Sequence, residues 1–199
     1  MAVKLNDSAH PSFLQAMDCL RRAHDETPKK LAVLDMFPYS VLKKEVVILE
    51  KQSSNFLPEK FKISLEKLLT LSQIHSKWEV KGYHQCDGNL TKERLLSDRD
   101  WAFVHYGDVF YDVVTSSKGL PFIMRKQMLN QYLGRKAADP EIIHFWVMEL
   151  ASHLIDSLTF FQKATSLHNA MIEERGKLRK QGIHYLEAFE RDYRSVFLI

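Results

Sequence analysis

Cysteine is nearly missing from this chain: Cys19 and Cys86 are the only two in 199 residues. Two cysteines do not make a disulfide framework, and a reducing compartment is the simpler reading. Glycine and proline are also scarce, at seven and six, which leaves room for long uninterrupted helices. No apolar run reaches transmembrane length; the best, residues 142–161, is broken by His144, Glu149, His153 and Asp156. The N-terminus, Met1-Ala-Val-Lys-Leu-Asn, has no apolar core of the kind a secretory signal needs. These absences together lead us to expect a cytoplasmic protein, in which the sequon Asn89-Leu90-Thr91 has no meaning. No glycine-rich phosphate loop, nucleophile elbow or HExxH is found, so the NTPase, serine hydrolase and zinc protease classes lack support. Internal repeats and low-complexity tracts are absent as well.

Charge of one sign is not in large excess. With 28 basic and 25 acidic residues the formal charge is +3, which permits a polyanion partner without implying one. Apolar residues at 45% and charged residues at 27% are those of an ordinary globular protein rather than a disordered one.

The hydrophobic periodicity reads as helices. The first spans Ser12 to Arg22, with Phe13, Met17 and Leu20 on one face; the second spans Ser40 to Lys51, with Leu42, Val46 and Leu49. A third runs from about Pro58 to Trp78. Lys81 to Asn89, with two glycines, is the clearest loop. Val109 to Thr115 is rich in β-branched and aromatic residues and reads as a short strand, or as one arm of a hairpin with Trp101–Tyr106 turning at Gly107-Asp108. A helix from Pro121 to Leu133 should end at Gly134, and Asp139-Pro140-Glu141 is a strong helix start. From there the pattern barely breaks to about Arg175 before Gly176 or Gly182 should interrupt it; Ile183 to Phe197 makes a last helix. Such length predicts a central hairpin or a partner surface. The expected architecture is all-α: one domain, residues 1–199, an antiparallel helical bundle with a long C-terminal helix pair and at most a short hairpin near residues 101–115.

One stretch carries chemistry: Ser97-Asp98-Arg99-Asp100-Trp101-Ala102-Phe103-Val104-His105-Tyr106-Gly107-Asp108. Read as a helix, which is the preferred reading over a strand, it has Ser97 or Asp98 as N-cap. Arg99 and His105 then lie about 120° apart around the helix and about 9 Å apart along it. One copy does not aim both groups at a single atom, but two copies across a two-fold axis can. The chemistry that such a pair suggests is metal-independent RNA cleavage, in which the substrate's own 2′-OH attacks the adjacent phosphate. His105 would give or take the proton, Arg99 would hold the phosphate oxygens, and Asp100 would orient Arg99. The products would be a 2′,3′-cyclic phosphate and a free 5′-hydroxyl. The plain alternative is a salt bridge from Arg99 to Asp98 or Glu93 with a histidine at a helix end.

Arg99-Asp100-Trp101-Ala102-Phe103-Val104-His105 resembles the signature of the HEPN superfamily, most closely an abortive-infection-like branch. In that signature an arginine is followed by a polar residue and, after four to six spacers, a histidine. The resemblance implies a helical bundle and an endoribonuclease whose active site forms at a homodimer interface. It also implies a toxin–antitoxin or phage-defence setting, with RNA as substrate and a neutralising antitoxin protein as a possible partner. It carries Arg99 and His105 over as catalytic and Asp100 as supporting, and it implies neither cofactor nor metal.

Other groupings offer less. Arg179-Lys180-Gln181-Gly182-Ile183-His184 repeats the spacing but crosses an expected glycine break. Tyr83-His84-Gln85-Cys86-Asp87 reads as an ordinary polar loop, since no second Cys or His pair lies near it. His144, His153 and His168 lack the spacing of one metal site and read as core or surface histidines. The basic pairs, such as Lys43-Lys44 and Arg135-Lys136, read as solvated surface. The competing function, from a different class, is a non-catalytic helical interaction or adaptor protein built on the Pro140–Arg175 helix.

Overall fold

The computed structural model describes residues 11–26, 38–52, 57–75, 83–84, 105–106, 108–167 and 171–198. The fold is all-α, a helical bundle. Its elements are α1 (Pro11–Glu26), α2 (Tyr39–Gln52), α3 (Glu59–His75), the two-residue strands β1 (Tyr83–His84) and β2 (His105–Tyr106), and then four more helices. These are α4 (Val109–Ser116), α5 (Phe122–Leu133), α6 (Asp139–Ser166) and α7 (Ile172–Phe197). The long C-terminal pair is present at 28 and 26 residues. Among the described residues no helix is long and apolar enough to cross a membrane.

The chain divides into two compact units, Met1–Val33 with Glu79–Phe145, and Leu34–Trp78 with Trp146–Ile199. α6 contributes its first turns to one and the remainder to the other.

In the first unit α1 packs along α5, burying Met17 and Leu20 from α1 and Met128, Leu129 and Tyr132 from α5. α5 ends at Gly134, as its sequence position predicts, with the glycine in the left-handed conformation at φ 68°. A Cβ there would lie 2.5 Å from Nη1 of Arg21, the mobile tip of a long side chain that can move aside, so it is the left-handed backbone that requires glycine. β1 and β2 pair antiparallel, with Tyr83 opposite Tyr106 and His84 opposite His105.

Two expectations are corrected here. Residues 109–115 are helical rather than a strand, so the hairpin through Gly107-Asp108 does not form. The β-branched run misled because a short apolar segment has no periodicity to read. The deciding signal is Asp108, which caps α4 by accepting from the Phe110 N–H at 2.9 Å. All five residues from Phe110 to Val114 are buried, so packing on every side overrides strand propensity.

The second unit has its core on α2 (Leu42, Val46, Leu49), α3 (Phe61, Leu65, Leu68, Leu71), α6 (Leu150, Leu154, Leu158, Phe161) and α7 (Leu186, Phe189). α6 and α7 run antiparallel: the Ser157 hydroxyl donates to the Gly182 carbonyl at 2.8 Å, while His153 meets Asp192 farther along α7. Every residue from Val147 to Leu154 is buried. The expected helix Pro140–Arg175 is two helices, parted between Ser166 and Ile172. Neither Gly176 nor Gly182 breaks the chain; both lie inside α7. Gly182 is there for close approach, since a Cβ would stand 3.0–3.2 Å from the Phe161 ring. Gly176 has nothing within 4 Å of that position.

The two glycines therefore predict opposite outcomes. Gly182→Val should lower stability by about 1–3 kcal/mol through overpacking against Phe161, whereas Gly176→Ala should raise it by about 0.5–1 kcal/mol. Urea unfolding of both variants beside the parent checks the pair.

Candidate functional site

His105 lies on β2, held by backbone pairing to β1. The helix expected over Arg99–His105 therefore does not reach its histidine, and the 120° helical offset from Arg99 does not apply at that end. The physical reason is the antiparallel pairing with Tyr83–His84, a partner too distant in sequence for local periodicity to reveal. Those same residues form β1 rather than the plain loop expected of Tyr83-His84-Gln85-Cys86-Asp87. Arg99 and Asp100 lie outside the described residues, as do the expected caps Ser97 and Asp98. The lower-ranked pair, Arg179 and His184, sits on α7 with both residues exposed. No glycine break separates them, and five helical positions put them about 140° apart.

Just beyond β2, the first unit holds a buried polar network that its sequence did not announce. Asp108 uses one carboxylate oxygen to cap α4 and the other to meet His144 Nε2 at 2.7 Å. One turn on, Asp112 Oδ2 meets His24 Nε2 at 3.1 Å, and His24 Nδ1 meets the Tyr132 hydroxyl at 2.8 Å. A neutral His24 satisfies the chain in one direction: Tyr132 O–H donates to Nδ1, and Nε2–H donates to the Asp112 carboxylate. Burial pushes the Tyr132 hydroxyl far above its ordinary pKa, and the nearby Asp112 carboxylate adds to this. Tyr132 is accordingly a fixed donor, not an activated nucleophile. Phe110 closes the space between the two pairs, edge-on to His144 at 5.0 Å and to Tyr132 at 6.4 Å between centroids. At the head of α6, Arg135 clamps Glu141 with both nitrogens at 2.6 and 2.8 Å, and Glu141 also accepts from the Ala138 N–H at 2.7 Å. This is half of a capping box. The Arg135 hydrogen bond holds the Glu141 carboxyl below its ordinary range against the cost of burial.

The second unit brings three potential metal ligands together. Glu149 and His153 stand one turn apart on α6 and face Asp192 on α7; one ligand atom from each lies within 4.8 Å of the others. His153 Nε2 is 2.9 Å from Asp192 Oδ2 and 3.7 Å from Glu149 Oε1. Burial pushes the Asp192 carboxyl up, but hydrogen bonds from His153 and Arg191 more than reverse this, leaving it below its ordinary range. A similar balance holds Glu190 low: burial raises it, and Lys67 with Ser64 pull it down. Of the histidines read as core or surface, His144 and His153 are in the core, and His168 lies outside the described residues. What that reading missed is that His144 and His153 each face acids, and for His153 the signal was present as Glu-x-x-x-His in one helix.

Two measurements probe this polar interior. Asp112→Ala should cost about 1.5–3 kcal/mol, because it removes a charged acceptor from the buried His24 N–H, with Tyr132→Phe costing about 0.5–1.5 kcal/mol for the neutral bond; thermal and urea unfolding measure both. Glu141, Glu190 and Asp192 all have folded-state pKa values below their ordinary ones. The stability they lend is present above the ordinary value, 4.5 for Glu, and is lost as pH falls through the lowered folded value. The urea midpoint should therefore hold from pH 7 to about 5 and then drop, and Glu141→Gln should flatten part of that drop.

Comparison of the chain with protein-family models, with curated proteins and with solved structures finds no match.

Proposed function

We infer that the protein is a metal-independent endoribonuclease of HEPN type. His105 moves the proton between the 2′-OH and solvent or the leaving oxygen, Arg99 grips the phosphate oxygens, and Asp100 orients Arg99. The observation that supports this reading best is the anchoring of His105. Its backbone is tied by strand pairing to β1, and three residues later Asp108 is buried, caps α4 and bonds His144. A general acid or base works only where its backbone is held. Two copies of the chain bring two such segments together, so a homodimer is part of the proposal. An RNA substrate inside a cell places the enzyme in the cytoplasm, in a toxin–antitoxin or phage-defence role that a neutralising partner would restrain.

The reading of a helical interaction protein keeps one observation in its favour. Among the described residues Ile172 on α7 is the most exposed large apolar side chain at 76%, with Ile183 on the same helix at 42%, although Val47, Ile63 and Ile123 on other helices are exposed as well. On that reading, changes at Ile172 and Ile183 abolish partner binding while Arg99 and His105 are dispensable.

Total RNA incubated with the purified protein in EDTA discriminates between them. The nuclease reading expects cleavage with 2′,3′-cyclic phosphate ends and a loss of about 100-fold or more in Arg99→Ala and His105→Ala. Folded variants that cut RNA at the parental rate would sink it.

A further inference from the structure

The outward face of α7 carries a charge pattern that RNA cleavage does not use. Glu173, Lys180, Glu187 and Arg194 follow one another at intervals of seven residues, and all four are exposed. A seven-residue step returns to nearly the same side of a helix, drifting by only about 20°. The four side chains therefore form one ridge about 32 Å long, on the side away from the buried Gly182, Leu186 and Phe189. Their signs alternate along it: acid, base, acid, base. Ile183, itself 42% exposed, stands beside the midpoint of the ridge. Among the described residues no ion pair engages Lys180, Glu187 or Arg194. Glu173 meets Lys177 at 2.7 Å, but both side chains are well exposed, and such a pair contributes little.

Under a two-fold axis, which closes a dimer, such a ridge is self-complementary in one arrangement only. Laid antiparallel against its own copy about an axis near residues 183 and 184, it sets Glu173 against Arg194 of the other copy and Lys180 against Glu187, and symmetry repeats each pair. A parallel pairing in register sets every charge against its like. So does an antiparallel slip of one heptad either way, which brings Glu173 to Glu187 or Lys180 to Arg194. The Ile183 side chains of both copies lie beside the axis and give the contact its apolar part. Gly176 comes opposite Arg191 and has nothing within 4 Å of the place a Cβ would take, which leaves room for the arginine stem. Exposed charge pairs set orientation and register more than affinity. We propose that α7 is a contact between two copies of this chain, paired antiparallel in that register. The contact lies in the second unit and uses no residue given a role in RNA cleavage, so it stands or falls apart from the nuclease reading.

Sedimentation equilibrium of the full-length chain at low salt tests this. We expect a reversible dimer at micromolar concentrations, weakening as salt is raised. Glu173→Arg alone and Arg194→Glu alone should each weaken association at least about tenfold, because like charges then face each other between the copies. Both changes in one chain should bring association back near the parental level. Mixing the two single variants should do the same, since their changed ends then face each other. Lys180→Glu with Glu187→Lys should behave in the same way. All four side chains are exposed, so the variants keep the fold, which circular dichroism checks. A monomer at every concentration overturns the proposal and leaves this face to an unlike partner. So does a dimer that the single reversals leave intact, since the copies then meet at another face. Loss in the single variants with no recovery in the double variant or the mixture overturns it too.

Discussion

A carboxylate withdrawn from water needs a donor or a counter-charge, and this requirement organises the interior. Four carboxylates are buried among the described residues: Asp108, Asp112, Glu141 and Glu149. Three of these carboxylates make pairings that cross between elements. His144 answers Asp108, His24 answers Asp112, and Arg135 answers Glu141 with a two-pronged clamp. Each pairing joins elements that the backbone alone would not lock. Asp112 ties α4 to α1, and Asp108 ties the start of α4 to α6. These bonds do not make the fold more stable than an apolar core of the same shape would. They make alternatives worse, because any slide of α4 against α1 leaves a charge without its donor.

The same requirement explains why α6 can be central. A helix buried on all sides ordinarily reads as continuous apolar sequence, yet α6 carries Glu141, His144, Glu149, Ser152, His153 and Ser157 in its buried positions. Several of these are met by neighbours, Asp108 for His144 and Asp192 for His153, with the Gly182 carbonyl accepting from Ser157, while the buried Ser152 hydroxyl has no hydrogen-bond partner among the described residues. Gly182 also lets α7 approach Phe161. Seen in sequence, these polar interruptions argue against a membrane span; seen in structure, they are the contacts that set the register of α6 with its neighbours.

Helix existence was legible in the sequence wherever the 3.6-residue period ran long. α1, α2, α3 and α5 fall within a few residues of their expected bounds, and Gly134 ends α5 because only the left-handed conformation lets the chain turn there. The long pattern from Pro140 was legible as helix but not as two helices, since Gly176 and Gly182 were the visible breakers and both are tolerated inside α7. Glycine's cost of about 1 kcal/mol is small beside the packing that α7 gains through Leu186, Ala188 and Phe189. The strand-like VFYDVVT run was illegible for a different reason: its fate hangs on one N-cap and on burial from all sides, both of which are tertiary. Paired residues 88 and 36 positions apart, His24 with Asp112 and His144 with Asp108, leave no local trace at all. His105 was expected on a helix and lies on a strand because its pairing partner, Tyr83–His84, is distant in sequence.

Catalysis and ligand binding need groups with bonding capacity left over. By that measure the first unit's network is an unpromising place for chemistry, despite a tyrosine, a histidine and an aspartate in line. Its protons are spoken for in one direction, and Tyr132 is driven toward its neutral form. A nucleophile needs the opposite environment, one that favours the anion. The network's value is mechanical: it holds Asp108, and through Asp108 the end of the segment that carries His105. The second unit differs in kind. There a second buried carboxylate, Glu149, stands 3.7 Å from the imidazole nitrogen that bonds Asp192 at 2.9 Å.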